Sequence, residues 1–272
     1  MTDAPFRSAF PASNPPPMTH HAPARPPVEL PATTPAPTDH GPDRPWLTCP
    51  LPMLVFLSVG LLEPSRSGGG LAGSLGMTFD SYPVIYAIRV TATFLSLFWV
   101  WPSLRGWLGR PTWWPPLLGI GLVVPWVVLA KLQHAAGWLP GGTSRAAFEP
   151  FEYFSDDPGQ LWAYLGIRGL GLVVLVPLVE ELFLRGFLLR FVIDENFWRV
   201  PFGMLTAAAA GTCGLYAVCS HPSEAVAAAG WFAIVSGIAA ATRKPIDCVL
   251  AHAATNLALG AYVLATGSWW LL

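Results

Sequence analysis

Charge is scarce in this chain. Lys, Arg, Asp and Glu make up 11% of its 272 residues, against about 25% in an ordinary soluble domain, while 53% of the residues are hydrophobic. That balance excludes a soluble globular protein and predicts a polytopic one that lives in a bilayer. Basic excess is missing too. A formal net charge of -1, a pI near 6.6 and the lack of any Lys/Arg-rich run leave no electrostatic footprint for nucleic acid. The four cysteines, Cys49, Cys213, Cys219 and Cys248, have no CxxC spacing. Neither a zinc knuckle nor a disulfide framework is indicated, and all four are expected to pack as small buried apolar side chains. No apolar stretch of the kind found in a signal peptide follows the start, so none is expected.

Proline, by contrast, is concentrated. Residues 1–45 hold 13 of the 29 prolines, mixed with Ala, Thr, Ser and His and without apolar periodicity, which predicts a disordered or polyproline-like tail. His20 and His21 within it read as solvated polar residues. From Trp46 onward seven apolar segments have roughly the 18–25 residues needed to cross ~30 Å of hydrocarbon. They lie near 46–63, 82–102, 113–133, 161–189, 202–219, 224–241 and 247–266. The expected fold is therefore all-α, a transmembrane helix bundle of about seven spans, with N-terminal helices over 46–158 and a C-terminal core over 159–272. Trp101, Trp107, Trp113, Trp114, Trp269 and Trp270 fall near segment ends, as interfacial anchors should. The Lys and Arg residues outside the segments lie mostly on one side, which places the N-terminus in the cytoplasm, in a multi-pass protein expected in a bacterial inner membrane.

The few charges inside these segments carry the most information. Glu180 and Glu181 stand together in Gly169-LGLVVLVPLVEELFLRGFLL-Leu189, with Arg185 four residues on. Carboxylates at that depth are costly and mark either a partner or a function. On a helix Glu181 and Arg185 form a favourable i, i+4 pair, whereas Glu180 points about 100° away, with no such neighbour in its own segment. A carboxylate left alone in low dielectric holds its proton more tightly, as a general base working near neutral pH requires. Two further constellations follow. His221 stands in Tyr216-AVCSHP-Pro222, and His252-x-x-x-Asn256 lies in an apolar run, with both side chains on one helical face. Each has a structural reading of its own: a pair that glues helices, a helix-end residue, an interhelical hydrogen bond of about 0.6 kcal/mol. Together, two Glu, one Arg, two His and one Asn in neighbouring apolar segments favour a reactive site.

The order E-E-x-x-x-R, then a His about forty residues later, then H-x-x-x-N resembles the signature of the CPBP intramembrane proteases, the group that includes CAAX prenyl endopeptidases and bacteriocin-processing or immunity proteins. The resemblance covers roughly residues 160–266. Glu180, Glu181 and Arg185 match the first motif, and His252 with Asn256 match the third. The second motif departs: the family has F-x-x-x-H, and here Ala217 stands where the Phe belongs, with Tyr216 one residue earlier as the candidate ring. The resemblance implies an intramembrane endopeptidase in which Glu180, aided by His221, activates water, while His252 and Asn256 stabilise the oxyanion and Glu181 and Arg185 support the site. Its partners would be the lipid bilayer and a membrane-anchored or lipid-modified polypeptide. No cofactor is required by this scheme, although Glu180, His221 and His252 are also a zinc ligand set with an open water position.

Other readings fit less of the sequence. A serine-type intramembrane protease needs a GxSG-like nucleophile, and Ile234-Val-Ser-Gly237 lacks the first Gly; an aspartyl type needs paired Asp within spans, and Asp194 and Asp247 lie at segment edges. A non-catalytic scaffold or immunity-type member of the same fold should have lost one of the four site residues. A small transporter should show broken, inverted repeats in both halves. One tension stands within the leading scheme. If every segment crosses fully, His221 and His252 lie up to ~20 Å apart. A segment near 186–222 must then be short, tilted or re-entrant, or the boundaries must shift.

Overall fold

A computed structural model describes residues 41–137 and 148–272. The expected tail therefore lies outside the described residues except for 41–45, where Pro45 opens a helical turn, Pro45–Thr48. The described chain is all-helical. Its principal helices are α1 (Leu51–Gly60), α2 (Tyr82–Leu104), α3 (Trp114–Ala135), α4 (158–191), α5 (Ala207–Ser220), α6 (Ala225–Thr242) and α7 (Pro245–Thr266).

Local chemistry sets the ends of these helices. Asp157 caps α4 by accepting from the Gln160 N–H at 3.0 Å, and Pro158 follows at the first helical position, where its missing N–H costs nothing. Thr206 caps α5 by accepting from the Ala209 N–H. Pro222 ends that helix, because a residue before proline avoids the helical region; His221 accordingly adopts φ -130° and ψ 60°. Gly267 at φ +68° closes α7 in the left-handed conformation that glycine tolerates.

Among the described residues, Phe79–Leu104, Trp114–Ala135, Pro222–Thr242 and Pro245–Thr266 are long and apolar enough to cross a membrane. Outward-facing side chains such as Val84, Phe98, Val124 and Leu215 are exposed, as lipid contact demands. The protein is thus an integral membrane protein. All seven expected segments are helical, but they are not seven equal spans. The α5 helix has 14 residues, about 21 Å at 1.5 Å per residue. The α4 stretch is long, but it carries Arg168, Glu180, Glu181, Arg185 and Arg190.

Helices α4 and α7 form the centre. The α7 helix packs along the first half of α3, on α6 and on α4, and α2 flanks the first half of α4. The approach of α3 to α7 requires glycine: a Cβ on Gly119 would stand 2.1 Å from the Ala251 carbonyl oxygen. The Thr255 hydroxyl, 2.8 Å from the Gly119 carbonyl, fastens the two backbones, an arrangement typical of small residues at membrane helix interfaces. That contact fixes the register of His252, one residue after Ala251.

Two expectations about packing need correction. Cys49, Cys213 and Cys248 are buried, but Cys219 is exposed near the end of α5. Trp107 is not an interfacial anchor. It is buried against Phe202, with the Arg190 guanidinium 5.6 Å from its ring.

Candidate active site

The two adjacent carboxylates stand where α4 departs from ordinary helix geometry. Val176–Glu181 is α-helical, and it is flanked by π-turns at Gly171–Leu175 and Leu182–Leu188. Such turns are rare and cluster at functional sites, because each extra residue per turn re-aims the side chains around it. Here Glu180 and Glu181 are both buried, and they meet different elements.

Glu181 is a hub. One of its carboxylate oxygens accepts from Arg185 Nη1, and the other lies 3.1 Å from Nδ1 of His252 on α7. Arg185 is held in turn by the Phe232 carbonyl at 2.9 Å and by the face of the Phe232 ring. Nε2 of the His252 ring stands 3.7 Å from Glu180 Oε2. The arrangement follows the logic of a carboxylate that orients a working imidazole through its far nitrogen. The i, i+4 pairing of Glu181 with Arg185 was readable in the sequence, whereas the anchoring of His252 was not.

Glu180 has one oxygen directed at His252, and the other accepts from the Tyr216 hydroxyl at 2.8 Å. Tyr216 stands on α5 with its ring against Phe183 and Phe232. It occupies the neighbourhood where a ring was expected, and it adds a hydroxyl donor that a Phe would lack. The neighbouring Ala217 is fully buried.

His221 lies in the break between α5 and α6, with Nδ1 2.8 Å from the Ser220 hydroxyl. Its ring meets Trp126 of α3 edge-on at 5.7 Å and Phe232 at 5.5 Å. Trp126 in turn meets Trp231, and Trp231 meets His252 at 4.6 Å. Both histidines therefore stand on one aromatic wall and line one cavity with Glu180, although they come from opposite ends of expected spans. Asn256, on the His252 face of α7, donates to the Leu172 carbonyl in the first π-turn at 2.9 Å. An amide has two N–H groups, so a second donor remains.

The cavity has a volume of about 630 Å³, within the usual range for ligand sites. The N-terminal helices complete it through Met53, Phe56, Tyr82, Tyr86 and Trp126. Two lining residues escaped the sequence reading. Glu224, the residue before α6, is buried with its backbone N–H bonded to the His221 carbonyl. Arg168 sits early in α4. Each is a single charge without a motif spacing around it, so only the fold reveals its address. For a metal, the donors do not fit as placed. Among the described residues no group of three or more His, Cys, Asp or Glu side chains could hold an ion, and the Glu180, His221 and His252 set is not assembled as one.

Residues 162–271 match the family model of type II CAAX prenyl endopeptidases described as Rce1-like. All three sequence motifs and the side chains just described, apart from those of the N-terminal helices, fall inside that match. That segment is thus similar to the type II CAAX prenyl endopeptidases. No curated protein and no solved structure matches the chain.

Proposed function

We propose that the protein is an intramembrane endopeptidase that hydrolyses a peptide bond of a membrane-anchored or lipid-modified polypeptide. In this reading Glu180, aided by His221, takes a proton from water as the water oxygen attacks the substrate carbonyl carbon. The proton then passes to the leaving amine as the C–N bond breaks. His252 and Asn256 hold the oxyanion. The observation that carries the reading is the meeting of Glu180 with His252 Nε2 in a cavity that His221 also lines. With Nδ1 given to Glu181, Nε2 accepts when the ring is neutral and donates only when the ring carries a second proton; the second form is the one that stabilises an oxyanion. Tyr216 supports the base by fixing the rotamer of Glu180. The bias of Lys and Arg supports an N-terminus on the cytoplasmic side.

The deciding measurement uses purified protein in bilayers against a panel of tagged membrane peptides. Glu180→Gln keeps the size of the side chain and removes the proton acceptor, so cleavage should vanish while folding and insertion persist. Activity within about threefold of the unsubstituted protein would sink the general-base assignment. The reading also needs no metal: cleavage should survive prolonged exposure to a strong zinc chelator. Stoichiometric zinc lost together with activity on His221→Ala and His252→Ala would make these residues ligands instead.

A further inference from the structure

Two arginines of the cavity, Arg168 and Arg66, have no carboxylate partner among the described residues. Arg168 lies on α4 about three turns before Glu180, roughly 18 Å along the axis, and lines the same cavity. Its Nη1 donates to the Tyr82 hydroxyl at 2.7 Å, and the guanidinium carbon stands 5.0 Å from the Tyr86 ring centroid. A guanidinium presents five N–H donors. None of the nitrogens of Arg168 is among the sealed, unpartnered polar atoms of the described residues, so the donors not given to Tyr82 are accessible on a residue that lines the cavity.

The other arginines of α2 and α4 differ. Arg89 pairs with Glu63, Arg185 pairs with Glu181, and Arg190 donates to the carbonyls of Gly186, Trp198 and Val200. Among the described residues no Asp or Glu stands within ion-pair distance of Arg168. Nearer the surface of the same cavity, exposed Arg66 rests 5.2 Å from the Phe79 ring centroid, and Phe79 stacks on Tyr82, the residue that holds Arg168. Three arginines, Arg66, Arg89 and Arg168, therefore line the cavity together with one carboxylate, Glu63, which is taken by Arg89, while Glu180 and Glu224 line it from the second half of α4 and the start of α6. A charge at this depth with donors to spare marks a ligand path, and the planar fork of Arg matches a carboxylate.

We propose that Arg168, assisted by Arg66, forms a subsite for a carboxylate of the substrate polypeptide. The subsite orients the chain so that its scissile bond reaches Glu180. The axial separation corresponds to about five extended residues, which sets how far from the cleaved bond that carboxylate lies. This inference rests on the peptidase reading for its substrate, and its test separates the two.

The experiment measures binding and cleavage with the full-length protein in nanodiscs. Its probes are fluorescent membrane peptides of one sequence that end in a free carboxylate, in a carboxamide, or in a carboxamide with a Glu side chain placed near the terminus. Binding is measured on the Glu180→Gln protein, which holds peptide without turning it over, and cleavage on the unsubstituted one. A carboxylate peptide should bind about 10- to 100-fold more tightly than its neutral counterpart. Arg168→Gln should abolish that ratio, and Arg168→Lys should restore part of it, with melting curves confirming that each variant folds. Whether the free end or the Glu side chain gains the affinity assigns the source of the carboxylate. Equal affinity for all three peptides, or a ratio that survives Arg168→Gln, overturns the subsite. So does a dependence on Arg168 seen only when anionic phosphatidylglycerol replaces phosphatidylcholine, because the ligand is then an anionic lipid headgroup. Discrimination through Arg168 without cleavage by the unsubstituted protein would leave the subsite standing and remove the peptidase reading.

Discussion

At the end of the cavity built by the second half of α4 with α5 and α7, charge is held by charge. Glu181 lies between Arg185 and His252, and Glu180 lies between His252 and the Tyr216 hydroxyl. At the end built by α1, α2 and the first half of α4, Arg66 over Phe79 and Arg168 over Tyr86 rest on aromatic faces without a carboxylate, and Arg89 has both the Phe56 ring and Glu63. The difference is instructive. An ion pair in low dielectric fixes both partners, because either one left alone is strongly destabilising. A cation on a ring is attracted to the ring face yet keeps its N–H donors for other partners. The first arrangement suits groups that must stay within tenths of an ångström of a reacting atom, and the second suits groups that receive a ligand.

Substitutions can break or sharpen this contrast. The largest effect belongs to Glu181→Gln, which strips Arg185 of its carboxylate and loosens His252 together. Removing one partner of a buried pair costs about 3–5 kcal/mol, so yield and melting temperature should fall along with activity. A variant with normal stability and a purely catalytic loss would show that the two glutamates had been assigned the wrong roles.

Next in size is His252→Ala. The loss of one oxyanion donor typically lowers turnover by about 10²- to 10³-fold, and KM should change little; a large rise in KM with turnover preserved would place His252 in substrate binding. Tyr216→Phe keeps the ring and deletes the hydroxyl that Glu180 accepts. A hydrogen bond to a charged group contributes about 1.5–3 kcal/mol, so turnover should drop roughly tenfold to a hundredfold at unchanged melting temperature. Unaltered turnover would make Tyr216 a packing residue only. The smallest effect is expected at the aromatic end. Glu63→Gln removes the carboxylate of Arg89, but Arg89 keeps the Phe56 ring and carbonyl. Stability should therefore fall by about 1–3 kcal/mol, less than for Glu181→Gln, with cleavage of the best peptide nearly unchanged. A loss as deep as that of Glu181→Gln would erase the distinction between the two ends.

Much of the site was legible because its spacing is local. Glu181 with Arg185 and His252 with Asn256 are i, i+4 pairs, and a helix puts such pairs on one face whatever surrounds it. The helical segments were legible for a similar reason, since long apolar runs admit few structures in a bilayer. Their lengths were less so. Ala207–Ser220 reads as the core of a full span, yet Thr206 caps it at one end and Pro222 stops it at the other. Trp107 and Cys219 show the same limit, since the rules that place tryptophan at interfaces and cysteine in cores are averages that packing overrides.

What the sequence determined by itself was an all-helical membrane bundle and the identity of the groups that carry charge into it. Apolar length and helical period are one-dimensional properties. What only the tertiary structure decided was which charges meet. Glu181 finds His252 across 71 positions of chain, Tyr216 finds Glu180 across 36, and Arg168 finds the hydroxyl of Tyr82 across 86. Contacts of that kind depend on how helices cross and rotate. Here that is set by Gly119 letting α3 close on α7 and by two π-turns re-aiming α4. A buried polar group takes the partner that packing brings within reach, and no periodicity along the chain encodes that choice.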